Sequence, residues 1–121
     1  MTLHSGVDLL EISRLKEAVE RHGERFLARI YTAAEREVCG GSAASLAARF
    51  AAKEAVSKAL GSGLGPVAWT EIEILRADSG APLLFLHGKA RALADELGLS
   101  EWAISLSHTR ENAIALAVAS D

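Results

Sequence analysis

The hydrophobic pattern turns from mainly helical to mainly strand-like at the loop GSGLGP, residues 61–66. Before the loop, beyond a first short strand, apolar residues recur at helical spacing. After it, WTEIEIL (69–75) alternates apolar and polar residues with the period of two that a half-buried strand requires. ADSGAP (77–82) is rich in turn formers and LLFLH (83–87) reads as the returning strand, so the two make a hairpin. GKARALADELG (88–98) is a helix stopped by Gly98. WAISLSHT (102–109) and AIALAVA (113–119) are two more strands joined by Arg110, Glu111 and Asn112.

The first half begins with a short strand, Gly6 to Ile12, and Ser13 is placed to cap a helix after it. At 100° per residue, Leu15, Val19, His22, Phe26 and Ile30 share one stripe, which predicts a core face. Arg14, Ala18, Arg21, Arg25 and Arg29 form the stripe beside it, with Glu17, Glu20 and Glu24 on the far side. Gly23 is a point where this helix bends or breaks. Thr32 and Glu35 have capping-box spacing and open a short helix that ends at Gly40-Gly41. Ser42 or a neighbour opens the next helix, which runs to Gly61. The order of elements predicts a single α+β domain, residues 1–121, with a largely antiparallel sheet packed with helices.

Charge and composition narrow the function. A net charge of −3 argues against broad nucleic-acid binding. The one cysteine, Cys39, permits no internal disulfide, which suits a reducing cytoplasm. The N-terminus lacks the basic segment and long apolar run of a signal peptide, and no apolar run reaches the length of a membrane span.

Several residues carry candidate chemistry. In FAAKEAVSKALGSG (50–63), Glu54 lies one helical turn before Lys58 and one turn after Phe50. The pair reads either as a solvated i,i+4 ion pair, worth about 0.2–0.5 kcal/mol, or as an acid and a base on one face. Asp8 interrupts the apolar run Val7 to Leu10; a carboxylate there must be exposed, paired or metal-bound. His108 ends a strand amid Ser105, Ser107 and Thr109, and reads as structural or as part of a polar site. The glycines of GSGLG follow a helix, the wrong end for a dinucleotide fingerprint, and serve as a helix stop or a close approach to a ligand. The arginine stripe is a solvated face or a docking face for an acidic protein. Cys39 has no nearby His or second Cys and reads as structural.

Together these pieces resemble one family. Gly6-Val7-Asp8 with Ile12 and Arg14, Thr32 with Glu35 and Cys39, RFAAKEA (49–55) with KALG (58–61), Ile72-Glu73-Ile74 with Gly80-Ala81-Pro82, and SLSHT (105–109) stand in the order found in holo-acyl carrier protein synthases. These are the short bacterial class of 4′-phosphopantetheinyl transferases, and the resemblance covers nearly the whole chain. His4 and Ser5 depart from it, standing where the family has a second glycine and an apolar residue.

The resemblance implies transfer of the phosphopantetheine arm of coenzyme A to a serine of apo-acyl carrier protein, releasing adenosine 3′,5′-bisphosphate. It implies Mg²⁺ held by Asp8 and Glu54, with Glu54 and Lys58 as catalytic residues. Glu54 would take the serine proton and Lys58 would serve the leaving phosphate. Arg49, Lys58, Gly61, Pro82, Ser107, His108 and Thr109 would bind coenzyme A. The carrier protein is acidic, so Arg14, Arg21, Arg25 and Arg29 would dock it. A homotrimer with active sites between subunits is implied as well. Two other readings exist: a non-enzymatic adaptor that uses the arginine face, and a metal-dependent phosphohydrolase that needs no carrier.

Overall fold

A computed structural model describes all residues, Met1–Asp121. Strand β1 (Leu3–Glu11) leads into helices α1 (Ile12–His22), α2 (Glu24–Ile30), α3 (Ala33–Cys39) and α4 (Ala43–Leu60). A single 3-10 turn (Trp69–Glu71) precedes β2 (Ile72–Arg76) and β3 (Pro82–Leu86); α5 (Gly88–Leu97), β4 (Glu101–His108) and β5 (Asn112–Ser120) complete the chain. All strand pairs are antiparallel. They form two sheets, a three-stranded one in the order β1-β5-β4 and the hairpin β2-β3. The first strand therefore pairs with the last, with Asp8 opposite Ala115.

Helix α4 is the axis of the molecule. Lys58 is its only residue in the exposed class. It packs on the inner face of the larger sheet through small side chains: Ala51, Ala55 and Ala59 on the helix against Ala115, Ala117 and Ala119 on β5. Contact is closest at Gly6, where a Cβ would stand 1.9 Å from the Ala55 carbonyl oxygen. Glycine at this site is a packing requirement, and it sets how near Asp8, two residues on, lies to α4. His4, at one of the family departures, accepts a place in this packing: its Nδ1 lies 2.9 Å from the Ala59 carbonyl oxygen and ties β1 to the end of α4.

A second core cluster gathers Ile12, Leu15, Ile30, Tyr31 and Cys39 under the N-terminal half of α4. Phe26, Phe50 and Trp69 stack beside it, with ring centroids 6.3 and 4.6 Å apart along the row.

The break expected at Gly23 is present: this residue takes φ +54°, which ends α1, restarts the chain as α2 and divides the stripe over 14–30. The structure corrects three expectations. Ser13 is not the first helix cap: α1 starts at Ile12, directly after Glu11, with no side-chain cap. His22, placed in the core stripe, is exposed because α1 ends there. Trp69 to Glu71 form a helical turn rather than strand, so the hairpin starts at Ile72. The capping box of Thr32 and Glu35 and the caps at Ser42 and Gly98 are present as expected.

Candidate active site

Strand β1 and helix α4 bring Asp8, Glu54 and Lys58 together. Alternation along β1 turns Gly6 and Asp8 toward α4. Lys58 Nζ donates to the Val7 carbonyl oxygen at 2.9 Å and to Asp8 Oδ1 at 3.3 Å. The i,i+4 partner expected for Lys58 is thus replaced by Asp8, and the ion pair runs between elements. Glu54 is half-buried, and its carboxylate takes part in no hydrogen bond or ion pair; only its main-chain oxygen accepts, from Ser57. Burial pushes the Glu54 carboxyl above the ordinary glutamate value, repulsion from Asp8 pushes the same way, and Lys58 partly offsets them. Two close carboxylates and one half-exposed ammonium make a site suited to a cation or a proton.

A second group of predicted residues meets elsewhere. His108, Arg49 and Pro82 line a cavity of about 270 Å³ with Ser42, Ser45, Arg76 and Gly80. Arg49 is 3% exposed. Its Nε donates to the Ile74 carbonyl oxygen at 3.0 Å and its Nη1 reaches the Ser45 main-chain and hydroxyl oxygens at 3.4 Å. Its Nη2 carries no protein hydrogen bond, yet no buried polar side-chain atom in the molecule is unpaired. Nη2 is therefore open to the cavity.

The other predicted residues scatter. Gly61 ends α4 with φ +78° and has open space around it. Strand alternation turns Ser107 to the outer face of the larger sheet, away from His108. Thr109 Oγ1 accepts from the Glu111 and Asn112 amides and shapes the β4–β5 turn. Arg14, Arg21, Arg25 and Arg29 are all exposed and form no ion pair, but Gly23 divides them between α1 and α2.

The residue that sequence reading passed over is Lys53. Its ammonium is fully buried with Glu35 at 2.7 Å. It also donates to the Trp69 and Ile72 carbonyl oxygens at 3.0 and 2.6 Å, which uses all three of its protons. Glu35 accepts from the Thr32 and Ile74 amides as well. This node locks α3, α4 and β2 together. Its one sequence signal was a lysine set in an alanine-rich helix, four residues after Arg49.

Comparison with known proteins supplies the family. Residues 5–118 match the model of the 4′-phosphopantetheinyl transferase superfamily. The holo-[acyl-carrier-protein] synthase of Herpetosiphon aurantiacus is 52% identical, with 96% of this chain and 97% of that protein covered. The protein of the same name from Moorella thermoacetica is also 52% identical, covering 96% and 92%. Among solved structures, the Helicobacter pylori holo-[acyl-carrier-protein] synthase in complex with coenzyme A superposes with a TM-score of 0.89 at 33% identity, covering 96% of this chain and 99% of that one. The Neisseria meningitidis enzyme gives 0.89 at 31% identity, with 98% of each chain covered. With the fold and nearly the full length in agreement, the chain belongs to the 4′-phosphopantetheinyl transferase superfamily.

Proposed function

We propose that this protein is a holo-[acyl-carrier-protein] synthase, which moves the 4′-phosphopantetheine group of coenzyme A to a serine of apo-acyl carrier protein. The observation that carries this reading is the open cluster of Asp8, Glu54 and Lys58 within a chain that matches named synthases end to end. In the reaction the serine oxygen attacks the phosphorus that bears the pantetheine arm. The bond from that phosphorus to the bridging oxygen breaks, and adenosine 3′,5′-bisphosphate leaves. Catalysis of such a step is mostly positioning and charge stabilisation.

Asp8 and Glu54 fit a Mg²⁺ ion. They offer hard oxygen donors, they repel each other when alone, and Glu54 has no competing partner. No third His, Cys, Asp or Glu joins them, which matches an ion that takes one or two carboxylates and fills its shell with phosphate and water. When bound, the ion would neutralise charge on the diphosphate. Glu54 accepts the serine proton, directly or through water; its raised pKa suits that task. Lys58 sits one turn on, within reach of Asp8, and stabilises the leaving phosphate. Arg49, Pro82 and His108 receive the nucleotide end of coenzyme A in their shared cavity.

The same reading makes the protein a homotrimer, acting in the cytoplasm. The outer face of the larger sheet carries Leu3, Val7, Leu9, Ile114 and Leu116, all exposed. Val7 pairs with Leu116 and Leu9 with Ile114, so the patch is continuous across two strands. A continuous exposed apolar face of this kind is an interaction surface. The Asp8 cluster and the His108 cavity share no lining residue in one chain. An active site completed between subunits joins them. The exposed arginines of α1 and α2 give the acidic carrier its docking face. No helix is long and apolar enough to cross a membrane.

Doubly labelled coenzyme A tests transfer against hydrolysis. Label in the pantetheine arm should appear on the carrier serine, and label in the adenosine should appear only as the bisphosphate. Release of the labelled arm into solution without carrier modification would mean a phosphohydrolase.

A further inference from the structure

The last four carbonyl oxygens of a helix have no donor within it, and α4 finds its donors in two places. The Gly61 amide bonds the Lys58 oxygen at 3.0 Å, and the Ser62 and Gly63 amides share the Ser57 oxygen at 3.2 Å. These bonds depend on Gly61, whose φ of +78° lets the chain turn back on the helix. They leave out the Ala59 oxygen, on a residue only 2% exposed. Its one protein donor comes from the far end of the chain: the half-buried His4, with Nδ1 at 2.9 Å. A ring nitrogen facing a carbonyl oxygen carries the proton, so this contact sets the tautomer.

Lys58 immediately precedes Ala59 and reaches back to the same strand, donating to the Val7 carbonyl oxygen and to Asp8. Strand and helix thus grip each other twice. A β1 side chain holds the α4 main chain, and an α4 side chain holds the β1 main chain. His4, Gly6 and Asp8 share one face of β1. Gly6 leaves no slack between the two grips, because a Cβ there would stand 3.0 Å from Lys58 Cβ. Lysine has a long stem with many rotamers, so its working position depends on how firmly its root is held. Asp8 is shared with the cation site, whereas the anchor at Ala59 competes with nothing.

Resting on the synthase reading above, we propose that His4 is a positioning residue for transfer: its bond to Ala59 fixes the last turn of α4 and, through it, the place from which Lys58 serves the leaving phosphate. His4 stands at a departure from the family pattern, so the anchor belongs to this chain rather than to the shared motifs.

The test separates the bond from the ring. His4→Phe keeps a ring without the donor, and His4→Asn keeps an N–H donor without the ring. Transfer kinetics are measured well below the unfolding temperature of each variant, beside amide hydrogen exchange by NMR. With His4→Phe, kcat should fall roughly three- to tenfold, the scale of one hydrogen bond, with KM for coenzyme A and for the carrier held. The Gly61, Ser62 and Gly63 amides should exchange several-fold faster. His4→Asn should restore most of both. A merely structural bond would lower the unfolding temperature of His4→Phe and leave kcat at the wild-type value, and that result would overturn the proposal. So would a His4→Asn enzyme as slow as His4→Phe, which would assign the effect to the ring, or amide exchange that neither substitution alters. A change confined to KM would also overturn it, since His4 would then act on binding and not through Lys58. If the wild type transfers nothing, yet the three amides exchange faster in His4→Phe and not in His4→Asn, the synthase reading fails and His4 remains the anchor of Lys58.

Discussion

Two lysines five residues apart on α4 meet opposite fates. Lys53 is sealed with Glu35, all its protons are donated, and every oxygen of its partner is used. Burial lowers its pKa while Glu35 pulls it back. Lys58 is half-exposed, holds Asp8 at 3.3 Å, and stands beside a glutamate with no partner at all. Both groups contain acid and base, yet only one can act on anything. A saturated, water-excluded pair is architecture. An undersatisfied pair open to solvent retains charge for a ligand.

The comparison breaks most sharply at Lys53. Lys53→Ala leaves Glu35 buried and unpaired, which costs about 3–5 kcal/mol. Chemical denaturation should show that loss, while the small folded fraction retains coenzyme A affinity. Replacing both partners with apolar residues of similar size should recover much of it. The opposite kind of change, Gly6→Ala, sharpens the link between packing and chemistry. The added Cβ meets the Ala55 main chain and forces β1 from α4, costing about 1–3 kcal/mol. Because Asp8 moves with β1, the transfer rate should fall further than the stability loss alone explains, as single-turnover kinetics at a temperature well below unfolding would reveal.

Smaller effects belong to surfaces away from both pairs. Charge reversal at Arg14 and Arg21 should raise KM for the carrier by about tenfold and leave coenzyme A binding alone, consistent with loss of electrostatic guidance. If both constants stay fixed, the arginine face does not dock the carrier. The smallest effect concerns Glu73. Burial pushes its carboxyl up, but hydrogen bonds from Thr32 and His87 outweigh this and hold its pKa below the ordinary value. A depressed folded pKa contributes stability above the unfolded value, near 4.5, that is lost as pH falls through the folded one. Thr32→Val should therefore flatten the acid limb of the stability profile. It also removes the α3 cap, at about 1 kcal/mol.

What the sequence made legible follows the same division. Local signals were readable: the Thr32–Glu35 box, the Ser42 and Gly98 caps and the alternation of β4 and β5 each arise within a few residues. Asp8 and Glu54 were recognisable as a motif, but their meeting depends on the β1–β5 pairing and on Gly6, which join the two ends of the chain. The Lys53–Glu35 node was invisible for a related reason. Its partners are 18 residues apart, and Lys53 stands beside Glu54, so nothing local says that one side chain turns inward and its neighbour outward. The 3-10 turn at Trp69 was hidden because three residues of alternating polarity fit a strand as well as a turn. There the tertiary demand decided, through the bond from Lys53 to the Trp69 carbonyl oxygen.

The central claim is that the open cluster of Asp8, Glu54 and Lys58 is chemical while the sealed Lys53–Glu35 pair is structural. Intact-protein mass spectrometry of an apo-acyl carrier protein, after incubation with coenzyme A, Mg²⁺ and either wild type or Glu54→Gln, tests it most directly. The account predicts that the carrier gains one phosphopantetheine with wild type. With Glu54→Gln the rate should fall roughly 10²–10⁴-fold, the scale of a lost general base, at an unchanged unfolding temperature, and EDTA should stop the wild type. A Glu54→Gln enzyme that modifies the carrier at the wild-type rate would contradict it.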